Sequence, residues 1–489
     1  MDTALLSTGI PGLDHTLGGG LPANRLYLVQ GDPGVGKTTL GLQFLLEGVR
    51  LGESCLYITF SESHAEIEAV ARSHGWTLRG IEVFEFDAVQ SALEGERAGT
   101  IFHPSETELN AVIGRVNDVL NRVRPKRLVF DSLSELRLLA GDSLRYRRQL
   151  LEIKNRASAI GCTALLMDDR TATKDDLQLQ SLAHGVVSLH RSSASYGSAK
   201  RRLEVAKLRG TAYREGFHDF AIQTGGLRVY PRLVASDHAQ AEGGVITSGV
   251  KELDTLLGGG IDRGSGTLLL GPAGCGKSTV ALKFAVSAAA RGEKTIVYMF
   301  DESASMLRNR AQGVGLDFSA LEKSGMIRLN PVDAAEVSPG QFAFEVRKAV
   351  EEDGVRIIMI DSLNGYLNAM PDEKHLMLHL HELLAYASAR GVAVIMVISQ
   401  HGVVGAAMQQ PVDASYLADT VVLFRYYEFE GDIRKAISVF KRRGGAHEPS
   451  IRALTIGPPE GVKVGEPLRN FRGVLTGTPQ YVEPKASKE

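Results

Sequence analysis

The chain repeats one extended pattern, and this duplication constrains its fold more than any other feature. The segment "STGIPGLDHTLGGG" (residues 7–20) matches "TSGVKELDTLLGGG" (residues 247–260) at an offset of 240 positions. The same offset relates three further pairs, namely Lys37 and Lys277, Phe60 and Phe300, and Glu62 and Glu302. Accidental motifs do not keep one register over such a length, so the sequence predicts a tandem duplication.

Each half of the chain predicts an α/β domain. A strand-like run, "RLYLVQ" or "TLLLG", precedes a Gly-rich loop, and a segment with helical apolar spacing follows it. Near-continuous apolar runs such as "RLVFDS" and "RIIMIDS" are typical of strands in a parallel sheet, while the late segments "RRLEVAKLRG" and "KAISVFKRRGG" favour an antiparallel extension. We expect the first domain at residues 1–235, a linker at 236–245 and the second domain at 246–489.

Composition argues against several classes of protein. The 55 Lys and Arg residues are balanced by 57 Asp and Glu residues, for a net charge of -2, so no overall basic field favours binding to nucleic acid. The three cysteines, Cys55, Cys162 and Cys275, show no CxxC pairing and no zinc-like spacing. The start of the chain is not signal-like and the apolar runs are strand-sized, so we expect a cytoplasmic protein with no membrane segment, disulfide or structural zinc.

The most specific motif is G-x-x-x-x-G-K-[ST], which occurs at residues 31–38 and 271–278. In this motif backbone N–H groups and the start of a helix surround phosphate, the lysine neutralises it, and the hydroxyl binds Mg²⁺. We therefore expect ATP and Mg²⁺ in each half. Within the second loop, Cys275 is expected to fill a tight turn, with a redox-sensitive thiol as the alternative. The expected nucleotide-binding residues are Gly31, Asp32, Pro33, Gly34, Val35, Gly36, Lys37, Thr38, Thr39, Gly271, Pro272, Ala273, Gly274, Cys275, Gly276, Lys277, Ser278 and Thr279.

An acid at the end of a neighbouring buried strand is needed to position Mg²⁺ and its waters. Asp131 in "LVFDS" and Asp361 in "IIMIDS" fit this Walker B role, together with the hydroxyls of Thr38 and Ser278. The alternative is that each aspartate caps the helix that follows it. We favour the metal role because a phosphate loop accompanies each of the two strands.

A further acid is needed to orient or deprotonate the attacking nucleophile. The candidates follow the strand after the P-loop helix, and they are Glu62 in "TFSES" and Asp301 and Glu302 in "MFDES". The halves differ here, because the first has Ser61 where the second has Asp301. Acids after a strand are also common on protein surfaces, so this pattern alone leaves both interpretations open.

In combination, these motifs resemble the KaiC family of tandem RecA-fold ATPases. The resemblance rests on the "TGxxxLDxxLGGGxP" pattern, both phosphate loops, the acidic pair and the late "KLRG", and it covers nearly the whole chain. It implies two RecA-like P-loop domains in a hexameric double ring that binds ATP at subunit interfaces. It also implies that the first half hydrolyses ATP, and that the second half in addition phosphorylates hydroxyls on the neighbouring subunit.

The resemblance assigns roles to individual residues. Glu62 is the expected base of the first half, and Asp301 with Glu302 forms the acidic pair of the second. Because pairing raises the pKa of one acid toward that of a useful base, we expect the second half to activate water or a hydroxyl and the first half to hydrolyse ATP slowly at most. Four cations are expected to reach a neighbour's ATP like an arginine finger, unless they only line a solvated strand edge, and they are Lys207, Arg209, Lys441 and Arg443.

The Ser-Thr phosphoacceptor pair of the family corresponds to Ser415 and Tyr416 in this chain. Ser415 is the expected phosphoacceptor, with capping or packing as the alternative, whereas the longer side chain of Tyr416 does not suit the same in-line geometry. The tail "YVEPKASKE" is short, so we do not expect regulation by KaiA, while a KaiB-like partner fits the resemblance.

We therefore expect a KaiC-like ATPase and serine autokinase that acts as a nucleotide or phosphorylation switch in signalling or timing. One alternative is a RecA- or RadA-like DNA-dependent ATPase, although the sequence shows no long basic cluster and no appended zinc finger or primase-like segment. A second alternative is a nucleotide-dependent scaffold with little turnover, which Ser61 keeps open.

Overall fold

The computed structural model describes residues 4–86, 104–170, 176–193, 197–233, 243–333, 335–368, 376–400, 415–459, 461–475 and 478–482. The chain divides into two compact units, Met1–Arg232 and Leu233–Glu489. Among the helices in these ranges, none combines the length and the apolar character that a membrane span requires.

The first unit is built on a large mixed sheet. Its strands are β1 (Leu5–Leu6), β2 (Leu21–Pro22), β3 (Leu26–Gly31), β4 (Cys55–Thr59), β5 (Ile81–Glu85), β6 (Arg127–Asp131), β7 (Thr163–Asp169), β8 (Gly185–Ser192), β9 (Lys200–Leu208), β10 (Phe217–Gln223) and β11 (Gly226–Tyr230). Its helices are α1 (Leu13–Thr16), α2 (Lys37–Arg50), α3 (His64–Ser73), α4 (Pro104–Val123), α5 (Leu133–Ala140), α6 (Ser143–Ala159) and α7 (Asp176–Leu182). Nine strands form one sheet in the order β11-β10-β9-β8-β3-β7-β6-β4-β5, and β1 pairs with β2 outside it.

The parallel part of this sheet runs from β8 through β3, β7, β6 and β4 to β5, and the antiparallel part adds β9, β10 and β11. The α/β prediction and the predicted antiparallel extension are thus confirmed. Strand β3 has β7 on one side and β8 on the other, and the chain builds outward from it in both directions. Such a switch point opens a crevice beyond the carboxyl end of the central strand, where ligands bind in α/β sheets.

Apolar layers cover both faces of the first sheet. On one face, Leu42 and Phe44 of α2 pack with residues of β9 to β11. On the other face, Val116 of α4, Leu136 of α5 and Leu150 of α6 form a separate cluster. Because helices and the antiparallel extension cover both faces, β3 and β4 are buried along their whole length, which explains their unbroken apolar sequences.

The second unit repeats this plan. Its strands are β12 (Val245–Ile246), β13 (Ile261–Asp262), β14 (Gly266–Gly271), β15 (Thr295–Met299), β16 (Ile327–Pro331), β17 (Ile357–Asp361), β18 (Ala393–Ser399), β19 (Thr420–Phe429), β20 (Asp432–Arg442), β21 (Arg452–Gly457), β22 (Gly461–Pro467), β23 (Phe471–Arg472) and β24 (Gln480–Tyr481). Its helices are α8 (Lys251–Leu256), α9 (Lys277–Ala290), α10 (Ala304–Gly313), α11 (Ser319–Lys323), α12 (Pro339–Glu351), α13 (Leu363–Asn368) and α14 (Leu376–Ala389). The nine-stranded sheet has the order β16-β15-β17-β18-β14-β19-β20-β21-β22, so β14 takes the place of β3.

Arg127 is a fully buried charge at the start of β6. Its Nε atom lies 2.6 Å from Glu53 Oε2, and its Nη1 atom donates to the carbonyl oxygens of Ser7 at 2.7 Å and Phe44 at 2.9 Å. These contacts connect the amino-terminal segment and α2 to the first residue of β6. At the equivalent register position of β17 the second unit has Ile357, so only the first unit depends on this ion pair.

Replacing Arg127 with isoleucine should destabilise the first unit by about 3 kcal/mol, because Glu53 and two carbonyl groups lose their partner. Thermal unfolding followed by the fluorescence of Trp76, which is the only tryptophan, should show a lower midpoint. As a control, Ile357→Val costs about 1 kcal/mol in the second unit and should leave the Trp76 transition in place. An unchanged midpoint for Arg127→Ile would contradict the assigned role of the ion pair.

Candidate functional site

The two phosphate loops lie at the carboxyl ends of β3 and β14. In the first loop, Gly34 and Gly36 have positive φ angles of 74° and 116°. A Cβ atom on Gly36 would lie 2.5 Å from Ile222 Cδ1, so the backbone passes too close to β10 for a side chain. Helices α2 and α9 begin at Lys37 and Lys277, directly after the loops. Their first N–H groups therefore face the loops, as phosphate binding requires.

Each loop lysine folds back over its own loop. The Nζ atom of Lys37 donates to the carbonyl oxygen of Gly31 at 2.8 Å and lies 2.7 Å from Asp169 Oδ1. The Nζ atom of Lys277 donates to two loop carbonyl oxygens at 2.6 and 2.9 Å, and burial lowers the pKa of this amine. Both amines therefore lie at the loop, where a bound phosphate would contribute negative charge. In the first site the Asp169 carboxylate contributes negative charge next to Lys37.

Cys275 is fully buried inside the second loop. Its Sγ atom donates to the carbonyl oxygen of Pro272 at 2.9 Å, and burial raises the pKa of the thiol. A buried thiol with a raised pKa is not a reactive one. These contacts favour the packing interpretation of Cys275 over the redox interpretation.

The first site joins a loop hydroxyl to the acid at the end of β6. Thr38 Oγ1 donates to Asp131 Oδ2 at 3.2 Å, and the Tyr57 hydroxyl donates to the same oxygen at 2.6 Å. Burial raises the pKa of Asp131, and the hydrogen bonds from Tyr57 and Thr38 oppose this rise. The N-cap of α5 is Ser132, so the Asp131 carboxylate contacts the loop hydroxyl and does not cap the helix.

Asp361 occupies the same place in the second site. Burial raises the pKa of Asp361, and a hydrogen bond from Ser278 opposes this rise. A hydroxyl beside a carboxylate suits Mg²⁺, which prefers oxygen ligands and binds through few protein groups. Within the described ranges no three His, Cys, Asp or Glu side chains cluster as a metal site, so phosphate oxygens and water would have to complete the shell of the ion.

Glu62 lies beside Asp131 because β4 and β6 are neighbours. Thr59 is the register partner of Asp131, and its hydroxyl accepts a hydrogen bond from the backbone N–H of Glu62 at 3.0 Å. Burial, and then the charge of Asp131, raise the pKa of Glu62. Its Oε2 atom is buried and has no hydrogen-bond partner among the described residues. A carboxylate in this condition suits a general base.

The acids of the second site are engaged by other side chains. Both oxygens of Glu302 accept hydrogen bonds from Arg310, with Nη2–Oε2 at 2.6 Å and Nε–Oε1 at 3.2 Å. The Asp301 carboxylate accepts a hydrogen bond from the Ser362 hydroxyl. The two acids therefore lie at the end of β15 beside Asp361, as their sequence positions predict, but their contacts differ from those of Glu62.

Two charged residues of these sites are absent from the predicted set. Asp169, the partner of Lys37, ends the strand next to β3, whereas Ser399 ends the matching strand of the second unit. Asp169 ends the apolar run "ALLMDD", just as Asp131 ends "LVFD", so its position in the sequence indicates the same edge of the sheet. Arg310 of α10 corresponds to Val70 of α3 at the offset of 240, so a full comparison of the two halves could have found it.

Lys207 lies toward the edge of the sheet opposite its own phosphate loop. It pairs with Val186 in β8, which is level with Leu28 in β3. The loop begins at Gly31, which is roughly 10 Å farther along the strand. The Nζ atom of Lys207 donates to the carbonyl oxygen of Ala183 at 2.8 Å, just before β8 begins. This side chain therefore points away from its own loop.

Lys441 has the same position in the second unit. It pairs with Val421 in β19, which is level with Leu268 in β14, before the loop. Its Nζ atom donates to the carbonyl oxygens of Ala418 at 2.7 Å and Ser415 at 3.0 Å. The candidate cation and the candidate phosphoacceptor segment are thus in direct contact.

The two arginines extend this edge. Arg209 Nη2 lies 3.5 Å from the carbonyl oxygen of Ser181, and Arg443 Nη2 donates to that of Tyr416 at 2.9 Å. Ser415 is half-buried in the turn before β19, whereas Tyr416 is 56% exposed. All four predicted cations and Ser415 therefore share the sheet edge that lies away from the phosphate loop of their own unit.

A chain of contacts connects the first phosphate loop to Trp76. His74 Nε2 lies 3.4 Å from the Thr39 hydroxyl, and the ring centroids of His74 and Trp76 are 4.8 Å apart. At the matching positions the second unit has Val314 and Leu316. The fluorescence of Trp76 is thus expected to report on the first site and not on the second.

Comparison with known proteins covers both units. The family profile described as "ATPase: KaiC" matches residues 6–234 and 246–469. The circadian clock protein KaiC3 of Synechocystis sp. is 29% identical over 486 residues, which are 97% of this chain and 94% of that protein. The circadian clock oscillator protein KaiC of Synechococcus elongatus is 28% identical over 98% of this chain and 92% of its own. That of Acaryochloris marina is 26% identical over 99% and 92%.

Removing the loop lysines should separate the two sites. Lys37→Ala and Lys277→Ala should each weaken ATP binding at one site about 10- to 100-fold, because a charged hydrogen bond contributes about 1.5–3 kcal/mol. With ATP near the wild-type dissociation constant, equilibrium dialysis should show about half the wild-type binding for each single variant and almost none for the double variant. The ATP-induced change in Trp76 fluorescence should be lost in Lys37→Ala and kept in Lys277→Ala, and undiminished stoichiometry in the double variant would refute the assignment of the sites.

Proposed function

The chain belongs to the KaiC family of ATPases, and from this premise we propose that it couples ATP turnover in two tandem sites to ring assembly and to phosphorylation of Ser415 on a neighbouring copy. The observation that carries the proposal is the division of groups between two edges of each sheet. The phosphate loop, the Walker B acid and the candidate base lie at one edge, and the candidate cations lie toward the other.

In the first site, Glu62 would orient and deprotonate the attacking water. Its raised pKa makes the carboxylate a stronger proton acceptor, and its position beside Asp131 brings it next to the expected metal and phosphate groups. Thr38 and Asp131 would hold Mg²⁺, which would neutralise charge on the phosphate oxygens. Lys37 would exchange its contact with Asp169 for phosphate. These contacts support hydrolysis as the reaction of this site.

In the second site, Glu302 and Asp301 are the candidate acids, and the nucleophile would be water or the Ser415 hydroxyl of another copy. In the transfer to serine, the Ser415 Oγ–phosphorus bond forms while the bond from the γ-phosphorus to the bridging oxygen of ATP breaks. ADP leaves, and the hydroxyl proton passes to Glu302. Within one chain Ser415 lies at the edge away from the loop, which favours transfer between copies.

The cations support a ring in which each copy completes its neighbour's site. Developing charge on a transferred phosphoryl group is stabilised by cations aimed at it, and these can come from another subunit. Lys207 and Lys441 are turned from the phosphate loops of their own units, which favours a role for them at the ATP site of another copy. A hexamer is the proposed size because the relatives belong to the KaiC family.

We further propose that nucleotide and phosphorylation state together act as a switch in signalling or timing. The relatives named as circadian clock proteins support a timing role. A KaiB-like partner is proposed from the resemblance to the KaiC family. The balanced net charge of -2 gives no support to a DNA-dependent motor.

Assembly should depend on ATP and on the arginines at the cation edge. In sedimentation velocity experiments at micromolar protein, saturating Mg-ATP should shift the wild type to a ring, and Arg209→Ala with Arg443→Ala should reduce that shift. Arg79→Ala removes an exposed arginine just before β5, the outermost strand at the other end of the sheet from β8 and β9. It is the matched control and should assemble normally. A wild-type protein that stays monomeric with ATP would end the ring proposal.

Phosphotransfer should depend on Glu302 and end on Ser415. With γ-labelled ATP, the wild type should incorporate label, Glu302→Gln should lower incorporation about 100-fold or more while ATP still binds, and Ser415→Ala should lose the main labelled peptide. Tyr416→Phe removes the neighbouring hydroxyl and should keep the label. Label that persists unchanged in Ser415→Ala, or that never forms in the wild type, would leave an ATPase without this autokinase activity.

A further inference from the structure

The second site contains a cation that the first site lacks, and it acts on the candidate base. Arg310 engages both carboxylate oxygens of Glu302 through two different nitrogen atoms, at 2.6 and 3.2 Å. Such a two-point contact fixes the orientation of a carboxylate as well as its charge. The pair is partly shielded, with 35% of the Arg310 side chain and 24% of the Glu302 side chain exposed.

The first site provides an internal comparison. Helices α3 and α10 occupy matching positions, and Val70 stands in α3 where Arg310 stands in α10. Valine cannot form an ion pair, and Glu62 keeps a buried oxygen without a hydrogen-bond partner among the described residues. The candidate bases of the two sites therefore have the same place in the fold and opposite surroundings.

The guanidinium group also influences the rest of the second site. Burial raises the pKa of Asp361, while the hydrogen bond from Ser278 and the positive charge of Arg310 oppose that rise. The positive charge of Arg310 therefore lies near Asp361 as well as Glu302. Arg310 is therefore one of the charged residues of the second site.

A carboxylate held in this way is poorly placed to take a proton from a nucleophile. Both of its oxygens already accept hydrogen bonds from Arg310. It also cannot turn toward a nucleophile without losing the second hydrogen bond. Before Glu302 can act on water or on a hydroxyl, the contact with Arg310 has to loosen.

We propose that Arg310 is a positioning residue that restrains Glu302, so that the second site turns ATP over more slowly than its acids would otherwise allow and retains its nucleotide longer than the first site. This inference rests on the proposed role of Glu302 as the base. The number of acids alone predicts a more active second site, because that site has two acids and the first has one. The restraint by Arg310 acts in the opposite direction, since the single acid of the first site has no such contact.

The test uses the full chain with hydrolysis in the first site suppressed by Glu62→Gln. In that background, Arg310→Val, which installs the residue of the first site, should raise steady-state phosphate release about threefold or more, a small part of the factor of 100 or more that a positioned base contributes. Arg310→Lys keeps one positive charge without the two-point contact and should give an intermediate rate. ATP stoichiometry, measured by dialysis, should be the same in all of these variants.

Three further variants separate a restraint from a structural effect. Adding Glu302→Gln to Arg310→Val should abolish the gain, because the gain has to pass through the released carboxylate. In a Glu302→Gln background, Val70→Arg should lower first-site phosphate release by a similar factor, whereas Val70→Met, of comparable length and without charge, should not. The ATP-induced change of Trp76 fluorescence should persist in both Val70 variants.

The outcomes distinguish this inference from the proposed function. A rate that stays the same or falls in Arg310→Val, with ATP still bound, overturns the restraint, and so does a gain that survives Glu302→Gln. A wild type without any phosphate release overturns the ATPase proposal, yet a gain in Arg310→Val that requires Glu302 would still support the restraint.

Discussion

The parallel register of neighbouring strands is the constraint on which both sites depend. Because β3, β4, β6 and β7 run in the same direction, their carboxyl ends meet at one edge of the sheet. Residues that lie far apart in the chain are thereby brought into contact, as Lys37 is with Asp169 and Thr38 with Asp131. A phosphate loop alone would bind nucleotide, but it is the register that places acids beside it. The site is therefore a property of the sheet more than of any single segment.

Duplication of this sheet has preserved its geometry and altered its charges. Both units retain the lysine, the hydroxyl and the strand-ending aspartate of a nucleotide site. They differ in the groups around these residues, since Asp169 and Val70 of the first unit are replaced by Ser399 and Arg310 at the equivalent positions of the second. Electrostatic contacts of this kind change reactivity with little effect on packing. Two copies of one fold can thus carry different chemistry without different architecture.

Much of the fold could be predicted from the sequence, and the reasons lie in particular segments. Runs such as "RLYLVQ" and "RIIMID" are apolar without alternation because both faces of the sheet are covered, so their strand character and burial are visible locally. The phosphate loops could be predicted because the spacing of their glycines and lysine is what forms the binding loop. Asp131 could be predicted because it ends a buried strand. The contact between Arg310 and Glu302 is different. It depends on the rotamers of two residues that are eight positions apart in the sequence. An arginine in the last turn of a helix is common, and no sequence motif indicates which carboxylate it will contact.

The separation of loop and cations also gives the sheet of each unit two unlike edges. Lys207 and Lys441 lie toward the edge away from their own loops, so a contact that brings them to another copy's nucleotide joins unlike surfaces and has a direction. In an open row of such copies, the phosphate loop of the terminal copy would have no neighbour to supply cations. Closing the row into a ring would supply them through the same type of contact. In the proposed ring, a copy without these cations would impair the ATP site of its neighbour and leave its own site intact. In a mixed population, damaged loops and damaged cations on different copies would complement each other.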